Sequence, residues 1–231
     1  MNLETSPIEE RIKAVRAEYL RRMTDGDGDL LRQVEQYSAG HTGKMLRPRL
    51  LLAAAGTLGE EHFNSHRTLL LATAVEMLHN ASLLHDDVID HDLTRRGQPS
   101  VNAQWNNSVA VLVGDYHLVS IMQLLSEIGN SDITQKFNTT VKGMVESELL
   151  AQEVGNASAP LSQTSYLKII DGKTANLFAL AADLGNPQYR DYGLHYGRLF
   201  QLRDDIADGE TTPFTAELIA QEEKILQEMN L

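Results

Sequence analysis

The chain has 231 residues, 20 of them basic and 32 acidic, for a formal charge of −12, a length that supports one sizeable core. The negative balance argues against a nucleic-acid partner, and the lack of cysteine excludes disulfides, zinc thiolates and a cysteine nucleophile. With no signal-peptide core near the N-terminus and no run approaching the ~18 apolar residues of a membrane span, a cytoplasmic protein without a transmembrane segment is expected.

In chain order the sequence reads as helix after helix. Ile8, Ile12, Val15, Tyr19 and Met23 recur at helical spacing behind Ser6-Pro7, until Asp25-Gly26-Asp27-Gly28 breaks the run. A short helix is predicted over Leu30–Ser38, then a loop from Gly40 to Pro48 carrying Lys44 and Arg47, then a small apolar helix from Arg49 to Leu58. One long apolar helix follows from Ser65 to Ile89, and a loop holds Thr94 to Pro99. Further helices are predicted over Ser108–Ile128 and Asp132–Val154, with Asp115, Glu146 and Glu148 as buried helix-to-helix hydrogen-bonding groups. A turn at Gly155–Pro160 leads to Leu161–Leu184, interrupted near Gly172, then to Gln188–Ala207 and an amphipathic helix over Phe214–Met229. No period-two segment, internal repeat or linker stands out, so the class is all-α and a single domain over residues 1–231 is expected.

The chemistry is concentrated in two acidic clusters. The stretch His79–Gly97 gathers Asp86, Asp87, Asp90 and Asp92 behind an apolar run, with Arg95 and Arg96 directly after. On a helix Asp86 and Asp90, at i and i+4, project from one face about one turn apart, and two like charges so placed need a cation. Buried carboxylates are costly unless paired or coordinated, so these should line a cavity. Asp204, Asp205 and Asp208 repeat the spacing at the far end of another apolar helix, beside Arg203. Carboxylates without imidazole or thiolate suit a hard cation, and magnesium takes one or two carboxylates while giving its other positions to water and substrate phosphate. Diphosphate is then the natural third partner, with Lys44, Arg47, Arg95, Arg96 and Lys173 as candidate cations.

Taken singly, each feature has a plainer reading. One DDxxD is usually a solvated helix end, Lys44 and Arg47 would be surface charges, and His79 a hydrogen-bonded core histidine. Met122, Phe137 and Phe178 read as core. The repetition of the cluster on two apolar helices with flanking arginines favours the metal site.

Six segments in order carry a resemblance to the trans-isoprenyl diphosphate synthases, or polyprenyl synthetases. They are GKMLRP (Gly43–Pro48), LHNASLLHDDVID (Leu78–Asp90), RRG (Arg95–Gly97), VLVGDY (Val111–Tyr116), GKTANLF (Gly172–Phe178) and FQLRDDIAD (Phe200–Asp208), within a likeness running from about Gly40 to Pro213. The resemblance implies a helical bundle around a central cavity, of isoprenoid synthase type and C-terminally short. It implies that the two motifs face each other across that cavity and hold magnesium, about three ions per site. Asp86, Asp90 and Asp204 would be direct ligands, with Asp87, Asp205 and Asp208 as further ligands or supporting acids. Arg95, Lys173 and Gln201 match positions that contact an allylic diphosphate, with Thr174 beside Lys173, while Lys44, Arg47, His79 and Arg96 match the isopentenyl diphosphate pocket. The pattern departs from the family after Asp208, where a lysine-bearing loop is missing and no lysine lies between Lys173 and Lys224.

The expected activity is condensation of isopentenyl diphosphate with an allylic diphosphate, releasing pyrophosphate and building a trans-polyprenyl diphosphate. Asp86, Asp90, Arg95, Lys173 and Asp204 would carry the ionisation. Small residues before the first motif, Ala81 and Ser82, imply a medium to long product, with Met77, Ile121 or Met122 as the floor of the chain tunnel. The resemblance also implies a homodimer, for which Val109–Leu125 offers an apolar surface, and transient membrane contact for a long product. Two other classes share these motifs. One is a non-catalytic subunit of a heteromeric synthase, and the other a terpene cyclase, which would lack the pocket of Lys44, Arg47 and Arg96.

Overall fold

The hydrophobic spacing at the N-terminus produces helix α1, Ser6–Thr24, with Ile8, Ile12, Val15, Tyr19 and Met23 all buried. The structure is a computed structural model and describes residues 3–4, 6–26, 28–39, 43–156 and 161–229. Asp27, the loop start Gly40-His41-Thr42 and residues 157–160 of the expected turn lie outside the described residues. Helix α2 is Asp29–Ala39, and α3 spans Leu46–Gly56. The expected loop is therefore shorter than predicted, because α3 takes in Leu46 and Arg47 ahead of Pro48. Proline is tolerated in a first turn, whose N–H groups have no intrahelical partner.

After the short α4, Glu60–Asn64, the long α5 runs over His66–Ile89, capped by the Ser65 hydroxyl, which accepts from the Thr68 N–H at 3.0 Å. The nine residues Leu70–Leu78 are all buried, so α5 is the axial helix, apolar all round as a central element must be. Where a loop is expected, Thr94–Arg95 (β1) and Gln98–Pro99 (β2) pair as a small antiparallel hairpin, with Arg95 opposite Gln98. Then come α6, Val101–Gln104; α7, Asn107–Ile128; α8, Ser131–Gly155; and α9, Gln163–Ile170. A π-helical turn, Asp171–Ala175, joins α9 to α10, Asn176–Gly185, and a 3₁₀ turn leads into α11, Arg190–Asp208, and α12, Thr215–Glu228.

The main core is built from α1, α3, α5, α7, α8 and α10, through residues such as Val15, Leu51, Met77, Leu124, Phe137 and Leu177. Each such side chain stabilises the fold by about 1.5–3 kcal/mol relative to exposure. A separate cluster of Tyr166, Ile170, Leu202 and Leu218 seats α12 on α9 and α11. There the buried Glu222 accepts from His195 Nδ1 at 2.5 Å, while Arg198 pairs with Asp171 at 2.6 Å.

Two expectations need correction. Asp115 and Glu146 are exposed rather than buried between helices, and Glu148 is half-buried near Asp86; the buried acids include Glu35, Glu76, Asp87 and Asp183. Helix α7 does have an 18-residue window apolar enough to cross a membrane, which the interruptions by Asp115 and His117 hide from a count of uninterrupted apolar residues. In the fold it packs along α5, with 44% of that window buried. Its outer face exposes Leu112, Val119 and Met122.

Candidate active site

The C-terminal end of α5 sets out the first acidic cluster. Asp90 is its C-cap, donating its N–H to the Asp86 carbonyl at 2.8 Å, and His91 then turns into the left-handed region at φ 57°. Asp87, offset around the helix from Asp86 and Asp90, points elsewhere: it is buried and accepts from Arg95 Nε at 2.8 Å and from Arg95 Nη2. Arg95 also reaches Asp92 Oδ2 at 3.1 Å. Arg96 and Gly97, at φ 54° and 76°, form the two-residue turn of the hairpin, with the positive φ at both positions that a type I′ turn requires. An arginine held there is uncommon, which marks the position for attention.

The hairpin is well tied. Tyr37 of α2 donates to the Pro99 carbonyl at 2.7 Å, and Asn102 Nδ2 donates to the Asp87 and Asp92 carbonyls at 3.1 and 3.0 Å. A cleft between α2, α5 and the hairpin is lined by Tyr37, Asn80, Leu83 and Arg95. It follows the Asn80–Asp87 stripe of α5, next to the stripe bearing Asp86 and Asp90.

Burial of Asp86 pushes its carboxyl up to about 6, with Glu148 and Asp90 adding to the shift and Lys173 opposing it. Lys173 Nζ stands 3.9 Å from Asp90 Oδ2. The π-helical turn presents Lys173 there, and Gly172 allows it: a Cβ on Gly172 would lie 2.2 Å from the Ser147 side chain of α8. Single π turns of this kind recur at functional sites.

On α11 the second cluster repeats the arrangement with different chemistry. Asp205 is buried, accepting from the Tyr166 hydroxyl and from Gln201 Nε2 at 2.7 Å, while Gln201 Oε1 accepts from Thr174 Oγ1 at 2.5 Å. Asp204 and Asp208 remain exposed. Asp204 is shifted upward by partial burial and by Asp208 and Asp205, with Arg47 pulling the other way. Asp205 thus holds Gln201 and Tyr166, Gln201 also holds Thr174, and Arg95 holds Asp87.

A third group surrounds the start of α3. Arg47 is buried with its guanidinium 4.5 Å from the Phe178 ring centroid, so Phe178 is core and cation support at once. Burial pushes Arg47 down to about 10, Glu76 and Asp204 raise it, and Arg96 lowers it. His79 is driven well below its ordinary value by burial and by Arg47, Arg96 and Arg95, and so is neutral. Gly43 is required by a close approach: a Cβ there would lie 2.6 Å from an Arg96 guanidinium nitrogen. Lys44 is exposed. Ala81 is fully buried and Ser82 half-buried on α5. Met77 and Ile121 are buried in the core, but Met122 is 65% exposed on the outer face of α7 and cannot floor a tunnel inside this chain.

Among the described residues no three His, Asp or Glu side chains come together as a ready-made ion site. The donor set still suits magnesium, which takes only one or two carboxylates from protein and completes its octahedron with water and phosphate. Burial first, and like-charged neighbours after it, raise the Asp86 and Asp204 carboxyls. Sequence reasoning missed Glu76 and Tyr166. The sole signal for Glu76 was an acid inside an otherwise apolar run; Tyr166 carried none, since its partner is 39 residues away.

Comparison with known proteins places these residues in a family. The all-trans-nonaprenyl-diphosphate synthase (geranyl-diphosphate specific) of Rhodobacter capsulatus is 38% identical over 188 residues, 78% of this chain and 57% of that protein. The octaprenyl diphosphate synthase of Escherichia coli is 34% identical over 201 residues, 80% of this chain and 61% of that protein. The polyprenyl synthase of Caulobacter crescentus, solved in complex with calcium and isoprenyl diphosphate, superposes with a TM-score of 0.79 at 33% identity, covering 85% of this chain and 62% of that one. The chain thus spans about three-fifths of the length of the curated relatives it matches. The family model for polyprenyl synthetases matches residues 28–217, and the chain belongs to that family.

Proposed function

We propose that this chain is a trans-prenyltransferase that joins isopentenyl diphosphate to an allylic diphosphate, yielding a medium to long polyprenyl diphosphate. The observation that carries the reading is the separation of two charge environments. Asp86 and Asp90 stand with Lys173 on one side, while Arg47, His79 and Arg96 gather on the other, where Asp204 also acts on Arg47. One environment suits a metal-bound diphosphate that must leave, and the other a diphosphate that must stay.

Asp86, Asp90 and Asp204, with Asp208, would hold magnesium, and the bound ions supply Lewis-acid stabilisation of the departing pyrophosphate. Lys173, beside Asp90, meets the same phosphate oxygens as a point charge. Asp87 and Asp205 act one step back, Asp87 by aiming Arg95 and Asp205 by fixing Gln201 and Thr174. The allylic C–O bond breaks with its electron pair leaving on pyrophosphate, and the isopentenyl double bond attacks the resulting cation to form the new C–C bond. One proton then passes to the released pyrophosphate. Arg47, neutral His79, Arg96 and exposed Lys44 hold the isopentenyl diphosphate through these steps. Water must be kept from the cation, a task for the apolar walls of α5 and α10. Ala81 and Ser82 start the chain tunnel, and the exposed Leu112, Val119 and Met122 face of α7 is the surface proposed for a homodimer.

The test is incubation of purified protein with magnesium, farnesyl diphosphate and labelled isopentenyl diphosphate. Elongated prenyl diphosphates are expected. No extension would point to a non-catalytic subunit, and a hydrocarbon product to a cyclase.

A further inference from the structure

Glu76 lies within α5, 4% exposed, one turn before His79. Among the described residues its Oε2 has no hydrogen-bond partner, and neither does Nε of the buried Arg47. A carboxylate and a guanidinium rarely share a dry interior without closing an ion pair, because each pays for desolvation alone. Burial raises the Glu76 carboxyl and lowers Arg47, and each charge opposes the other's shift by favouring the ionised form, yet among the described residues no ion pair joins them. Arg96 and Arg16 act on the same carboxyl, and Arg96 repels Arg47. Glu76 is thus the acid around which three arginines are balanced. Asn80, one turn on, donates to the Glu76 carbonyl at 2.9 Å and steadies that turn of the helix.

We infer that Glu76 is a positioning residue for the isopentenyl diphosphate pocket: its buried carboxylate offsets the repulsion between Arg47 and Arg96 and keeps both guanidiniums converged on one diphosphate. The inference rests on the prenyltransferase reading above. The Glu76 charge acts on Arg47 and Arg96, the arginines of the isopentenyl diphosphate pocket, so its loss should be felt first there. Without it the arginines lose their common counter-charge and separate. The Phe178 face still holds Arg47 from one side, so the pocket weakens without collapsing.

The distinguishing measurement is steady-state kinetics with each substrate varied in turn, on wild type, Glu76→Gln and Glu76→Asp. Gln keeps the shape and removes the charge, and should raise KM for isopentenyl diphosphate by about 10–100-fold, the range for losing a group that supports a site from one step back. KM for the allylic diphosphate and kcat should stay within about threefold, and Asp, which keeps the charge, should recover most of the loss. An unchanged KM for isopentenyl diphosphate in Glu76→Gln, or equal losses for both substrates, overturns the inference while leaving the prenyltransferase reading intact. Should Glu76→Gln fail to fold, Glu76→Met takes its place as the uncharged variant: the same rise in that one KM is expected, and an unchanged value or equal losses for both substrates overturns the inference. Wild type that condenses nothing removes the underlying reading instead.

Discussion

The two acidic clusters share a spacing and differ in what holds their middle residue. At the end of α5, Asp87 is locked by a charged partner, Arg95; at the end of α11, Asp205 is locked by two neutral ones, Tyr166 and Gln201. In both, the middle aspartate is turned about 100° from its predecessor, away from the face that the first and last share. DDxxD therefore divides its labour by helix geometry. In the proposed site the first and last aspartates of each motif are left for the cation, and the middle one holds the motif in place. The clusters also differ in exposure: Asp86 is half-buried with its carboxyl at about 6, whereas Asp204 and Asp208 are exposed.

The sharpest way to break this division is to remove one aspartate of each kind. Asp86→Ala should lower kcat by about 10²–10³-fold or more, the loss typical of removing one electrostatic support of a developing charge. Asp87→Asn and Asp205→Asn should cost about 10–100-fold, as supporting partners do. Losses at Asp87 or Asp205 equal to those at Asp86, measured as turnover at saturating magnesium, would mean that the middle aspartates are ligands after all.

Acidity sharpens the contrast next. The folded-state value of Asp86, about 6, is above its ordinary 3.8, so the native state binds this proton more tightly than the unfolded one. Its contribution favours the native state at low pH and is lost as pH rises through about 6. Magnesium needs the ionised form and should reverse that loss. Added magnesium is thus expected to raise Tm at pH 8 and to do little at pH 5, and Asp86→Asn should shrink the difference. An equal magnesium effect at both pH values would place the ion away from Asp86.

Much of this was legible in the sequence. The helices follow from apolar spacing, as in Ile8–Met23, and the motif aspartates from their repetition on two apolar runs. What escaped is non-local or geometric. The type I′ hairpin at Arg96-Gly97 lacks the usual Asn-Gly signal, so it reads as loop. The commitment of Asp87 and Asp205 depends on partners brought in by the fold, and Met122 and Asp115 proved exposed because period alone does not say which face of α7 is covered. Glu76 reads as an anomaly in an apolar helix until α3 and the hairpin place arginines around it.

The smallest expected effect concerns the neutral clamp alone. Tyr166 is buried beside Leu202 and Leu218, and its hydroxyl, raised above the ordinary tyrosine value by burial and by Asp205, stays protonated as a donor. Tyr166→Phe removes one hydrogen bond and keeps the ring packed against Phe214. Asp205 retains Gln201 as a donor, so its carboxylate is not orphaned, and the cost should be about 1 kcal/mol of stability. Chemical denaturation should show that shift in midpoint with an unchanged m-value, and turnover should fall by no more than about threefold. Arg95→Met is the matching change at the first cluster. It strands the buried Asp87 with no partner for Oδ1 and should cost more, about 1–3 kcal/mol. Equal costs for the two substitutions would mean that the charged and neutral clamps are interchangeable, and that the difference between the clusters lies only in their exposure.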